Sequence, residues 1–140
     1  MPDTVPAPQN NNLMRLFLLF VALLLVPIAL NYGLHPSTTL PMSLDIQVSG
    51  TDQTHIYRGV MCLYLGTALF FAIGAFTPSW QRVAVIYAIV FAASIAVGRV
   101  ISLVVDGWPS PLLLIYLATE IVGSLLGLAV LAAADRDVRR

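Results

Sequence analysis

Two charged residues stand where a lipid-facing chain would carry none. Arg99 falls inside the apolar run 83–105, and Glu120, the only glutamate of the chain, inside the run 112–134. A charge at mid-bilayer costs roughly 2.5–3.5 kcal/mol on insertion scales, so an intramembrane charge marks a functional site or a compensating partner. Arg99, Ser102 and Asp106 are spaced i, i+3, i+7 and share one helix face. Tyr116, Glu120, Gly123 and Gly127, at i, i+4, i+7, i+11, share a face of the next helix. At 1.5 Å per residue Arg99 lies ~10 Å and Glu120 ~13 Å from the turn between them, and a long arginine spans the difference. His55 and Arg58 enter the preceding apolar run at the same end. The expected site is a small polar pocket lined by His55, Arg58, Arg99, Ser102, Asp106, Tyr116 and Glu120.

Two chemistries fit the central pair. Arg99 and Glu120 can form a buried ion pair that locks two helices together. Alternatively, Glu120 serves a solvated pocket as proton carrier, general acid or cation ligand, with Arg99 tuning its proton affinity. For His55 and Arg58 the plain alternative is an interfacial position, and for Asp106 a helix-ending turn. Ser102 has no base beside it on its own helix, which argues against a serine nucleophile. His35 and His55 are too far apart to nucleate a metal cluster, and no cofactor motif such as a P-loop, H-E-x-x-H or G-x-S-x-G is present.

The elements that position these residues are membrane spans. Of 140 residues, 59% are hydrophobic and 10% charged, and mean hydropathy is +0.87; soluble domains carry about 25% charged residues. Seven basic residues, all arginine, balance seven acidic ones, which gives no footprint for nucleic acid. The pattern predicts an all-α integral membrane four-helix bundle with spans at 13–34, 59–77, 83–105 and 112–134. A polar, proline-rich tail, 1–12, is expected to be disordered, and a short charged tail, 135–140, closes the chain. A signal peptide is the competing reading of the first span, but no A-x-A-like site follows it. Pro27 is expected to kink that span. In the loop 35–54, Leu40, Met42, Leu44, Ile46 and Val48 alternate with polar residues and proline, which predicts an extended strand covering the bundle's end. Cys62, inside the second span, reads as a buried inert thiol.

Arginine placement predicts the orientation. Arg15, Arg82, Arg136, Arg139 and Arg140 lie on the side of the termini, and Arg58 alone flanks a span on the other. Five against one puts both termini in the cytoplasm and the chain in a cytoplasmic (inner) membrane. Trp80, Trp108, Tyr32 and Tyr57 fall at span ends, where an aromatic belt belongs. Ser94, Gly98 and Ser102 on the third span, Gly123 and Gly127 on the fourth, and Ala68 and Ala72 on the second are small residues at helical spacing. They are expected to let helices pack closely, within the chain or in a homo-oligomer or larger membrane complex.

The set H-x-x-R-G at 55–59, G-R-x-x-S-x-x-x-D-G at 98–107, the lone Glu120 and N-Y-G-L-H-P at 31–36 resembles the bacterial domain of unknown function 4345 family, small membrane proteins of about four spans. The resemblance covers roughly residues 13 to 132 and implies architecture, not an activity. Carried over by position, it marks His55, Arg58, Gly59, Gly98, Arg99, Ser102, Asp106, Gly107 and Glu120. Three functions remain, in this order. The first is a structural or accessory membrane component held by the Arg99–Glu120 pair. The second is a small proton- or cation-coupled transporter component using Glu120. The third is a membrane enzyme acting on a lipid or isoprenoid substrate with Glu120 or Asp106 as acid.

Overall fold

Helix boundaries in this chain are set by prolines and polar caps more than by hydropathy. Asn11 caps the first helix, α1 (Asn12–Gly33), its side chain accepting from the Met14 N–H at 3.0 Å. Prolines occupy the first turns of α2 (Pro36–Leu44) and α4 (Pro78–Val105), where their missing N–H costs nothing, and Pro111 opens α5 (Pro111–Val138). Gly50, at φ 116°, turns the chain into α3 (Thr51–Phe76). The computed structural model describes residues 11–138, and all regular structure among them is helical.

The four long helices are long and apolar enough to cross a membrane, with windows of mean hydropathy between 2.0 and 2.7. This is an all-helical, multi-pass membrane protein. The helices overrun the expected spans at most ends. Hydropathy stops at the first polar residues, whereas intrahelical hydrogen bonding continues to the next cap. Thus α3 begins at Thr51, before His55 and Arg58, and α5 carries on past Ala134 through the first residues of the charged tail. Pro27 lies inside α1, which continues through it. Most of the N-terminal tail expected to be disordered, and the last two residues of the C-terminal tail, lie outside the described residues.

One expectation fails clearly. Residues 40–48 do not form a strand; their first half belongs to α2. Leu40 and Leu44 serve a period of two and a period of four equally, and Pro36, Leu40 and Leu44 are the buried stripe of a helix, while Met42 is 84% exposed. Polar contacts to α1 hold that choice. The Thr39 hydroxyl donates to the Asn31 carbonyl at 2.6 Å, and the Asn31 amide donates to Ser43 Oγ at 3.0 Å. The segment does cover the end of the bundle, touching α1, α3 and α5.

Helix α1 packs along α3, and α4 along α5, with α3 against α4 joining the two pairs. The core is concentrated at the end that holds the chain termini, where Leu18, Phe71, Ala75, Ala84 and Val85 are fully buried, and Val130 and Ala134 of α5 join them. Gln81, 1% exposed, ties that end together: its Oε1 accepts from the Asn11 N–H at 2.9 Å and its amide donates to the Ala75 carbonyl at 3.2 Å. Arg82 and Asp135 pair across α4 and α5 nearby, more exposed to the surroundings. Gly127 permits a close approach here, because a Cβ on it would lie 2.5 Å from Ile89 and 3.2 Å from Phe17. Helices α1, α4 and α5 therefore converge at the terminal end. Towards the loop end α1 and α5 part.

Candidate functional site

Parting leaves a slot of about 420 Å³ between α1 and α5, floored by α4. Its lining begins at Phe17 and ends at Ile28 on α1, at Ala88 and Arg99 on α4, and at Leu126 and Ile115 on α5. Each helix thus contributes a stretch of twelve residues, about 16 Å of helix. Most of the walls are phenylalanine, leucine, isoleucine, valine and alanine. Polar groups gather towards the loop end: Arg99, Glu120, Tyr116 and Thr119, with Tyr64 of α3 behind them. Phe20 and Leu24 on one side and Val122 and Leu126 on the other remain 43–55% exposed, so the slot opens sideways onto the lipid-facing surface.

At the head of the slot Arg99 Nε donates to both carboxylate oxygens of Glu120, at 3.0 and 2.9 Å. Their side chains are only 19% and 14% exposed. The arginine guanidinium also stands over the Tyr116 ring, 5.7 Å from its centroid, a cation–π contact from the same helix face as Glu120. Tyr32, in the last turn of α1, stands close to Arg99. Its ring meets that of Tyr64 at 6.1 Å, and Tyr64 meets Phe91 edge-on at 5.5 Å. Among the described residues no side chain or carbonyl holds the hydroxyls of Tyr64 and Tyr116. Glu120 also fixes its own helix locally, since Ser124 Oγ donates to its carbonyl at 2.8 Å.

Of the seven residues expected to share a pocket, Arg99, Tyr116 and Glu120 meet. Ser102 and Asp106 do not join them: the serine hydroxyl donates to the aspartate at 2.7 Å, and both are exposed near the end of α4. His55 and Arg58 sit exposed on the first turns of α3 and do not line the slot. Among the packing residues, Gly127 is buried against Ile89 and Ala68 lies in the core. Gly123 lines the slot, and Ser94 and Gly98 are exposed, with nothing near a Cβ at Gly98. Cys62 is not buried. It is exposed, on a second, mostly apolar recess between α3 and α4 that includes Phe70 and Tyr87 and holds no charged group.

Sequence reasoning missed Tyr32 and Tyr64. Tyr32 reads as part of an aromatic belt by its place at a span end, and instead turns inward. A signal for Tyr64 existed in its place, five residues into the second span, where a hydroxyl needs a polar neighbour.

No curated protein and no solved structure matches the chain. A family model described as Domain of unknown function (DUF4345) does match, over residues 13–131, which takes in the whole of the slot and most of each long helix, leaving out the last seven residues of α5. The chain belongs to that family.

Proposed function

We propose that this protein binds a single-tailed amphipathic lipid in the slot between α1 and α5, with the tail along the apolar walls and the headgroup at Arg99, Glu120 and the tyrosines. One observation carries the reading: an apolar slot, open sideways to lipid, ends on a concentrated polar cluster. The volume suits it, since small-molecule pockets run from roughly 300 to 1,000 Å³. With C–C bonds of about 1.5 Å, a 16 Å slot takes an extended chain of about a dozen carbons. The same ion pair supports a structural role alongside, because it joins α4 to α5 within the membrane.

The experiment is native mass spectrometry of the full chain released from mild detergent. One bound amphiphile per chain is expected, and Gly123→Phe should abolish it. Nothing lies within 4 Å of a Cβ at Gly123, so the bulky residue fills the slot without disturbing the bundle, and circular dichroism checks the helix content. Equal occupancy in wild type and variant, or none in either, overturns the proposal.

Placement in the membrane is part of the same reading. We propose a bacterial inner membrane, both termini cytoplasmic, with the polar head of the slot in the outer leaflet; the arginine distribution supports this. Reporter fusions after residues 45 and 80 and at the C-terminus should be external, internal and internal. An external C-terminus reverses the orientation.

A further inference from the structure

The slot's headgroup end has a definite donor–acceptor character, and that narrows what it holds. Arginine carries five N–H donors in a rigid fork. Here the carboxylate of Glu120 takes the Nε donor with both of its oxygens, and neither terminal nitrogen of Arg99 hydrogen-bonds to it. Tyr32 stands close to the guanidinium. Two further hydroxyls, of Tyr64 and Tyr116, have no protein partner among the described residues and belong to the lining. The head of the slot therefore has spare donors, while its one carboxylate is already engaged.

Its charge is equally informative. Arg99 and Glu120 cancel, so nothing here attracts an anion over water, and no third ionisable side chain lines the slot except the two tyrosines. A phosphate or carboxylate headgroup on Arg99 would stand beside the Glu120 carboxylate in a setting of low dielectric, where like charges repel strongly. An ammonium headgroup would meet the guanidinium in the same way. An uncharged acceptor meets neither obstacle.

From these features we infer that the ligand's headgroup is uncharged and accepts hydrogen bonds through carbonyl oxygen. Two sources share that chemistry: the ring carbonyls of an isoprenoid-type quinone and the ester carbonyl of a monoacylglycerol. The Arg99 terminal nitrogens and the Tyr64 and Tyr116 hydroxyls donate to the carbonyl, and the tail runs along α1 and α5 towards Gly127. The inference rests on the slot being a lipid site, as proposed above.

The test uses the full chain in phosphatidylcholine nanodiscs and four photoactivatable probes of equal tail length, each with a diazirine in the tail. One bears a benzoquinone head, one a monoacylglycerol, one a carboxylate and one a phosphate. Peptide mapping reads labelling on α1 and α5. A quinone or monoacylglycerol probe should label the slot about tenfold more than either anionic probe, and comparison of the two neutral probes identifies the source. Tyr64→Phe and Tyr116→Phe each remove one donor without opening a gap, and each should weaken labelling by the better neutral probe roughly three- to tenfold. Anionic probes that label the slot as well as the neutral ones overturn the inference and leave the slot reading intact. Failure of all four to label α1 and α5 overturns the slot reading and the inference with it.

Discussion

Breaking the Arg99–Glu120 pair from either side should cost far more than removing it whole. The contact is made by one nitrogen reaching two oxygens at 3.0 and 2.9 Å, between side chains 19% and 14% exposed. With the two charge centres about 4 Å apart and an effective dielectric near 20, the attraction is ~4 kcal/mol. Glu120→Gln leaves a guanidinium in the membrane with only Tyr32 and the Tyr116 ring, and Arg99→Met leaves a bare carboxylate. Truncating one partner of a buried pair typically costs about 3–5 kcal/mol. The open side of the slot lets some water reach the stranded group, so ~3 kcal/mol per single variant is expected. The double variant leaves no charge behind and should lose no more than ~1 kcal/mol. Equilibrium unfolding in mixed micelles, titrating SDS into a mild detergent and following helix content, gives all four values. A coupling energy of at least ~2 kcal/mol is expected. Losses in the double variant equal to the sum of the two singles would refute the pairing and the site built on it.

Gln81→Leu should lower stability by about 1–3 kcal/mol in the same assay, because the Ala75 carbonyl and the Asn11 N–H lose a buried partner; an unchanged midpoint would mean that water replaces the amide. Gly127→Val should cost about 1–3 kcal/mol through its clash with Ile89, whereas Gly123→Ala, four residues away and facing open space, should be neutral or stabilise by up to ~1 kcal/mol. Equal effects at the two glycines would count against close packing at the terminal end.

The pairing of Arg99 with Glu120 and Tyr116 was legible because depth and helical period are both countable along a short hairpin. The span cores were legible for the same reason, since length and apolar content suffice. Rotation of each helix was not. In water an amphipathic stripe reports which face is buried, but lipid and core are equally apolar, so leucine and valine face both and the pattern carries little angular information. That is why His55 and Arg58, at the right depth, point outward, while Tyr32 and Tyr64 turn in. Helix α2 escaped because Leu40 and Leu44 satisfy two periods at once, and contacts with Asn31, from another helix, decide between them. Gln81 escaped because a glutamine at a span end is ordinarily solvated, and only the three-way convergence of α1, α3 and α4 buries it.

The sideways opening between α1 and α5 has a thermodynamic consequence for whatever occupies the slot. In a bilayer the slot is never vacant; a neighbouring acyl chain slips in whenever a ligand leaves. A ligand's tail therefore trades places with a hydrocarbon of the same polarity and brings almost no net gain by leaving water. Discrimination falls to the few hydrogen bonds at the head, each worth about 0.5–1.5 kcal/mol net. Occupancy should then follow the mole fraction of the ligand among the surrounding lipids, not its aqueous concentration, and the protein would report on membrane composition by simple competition.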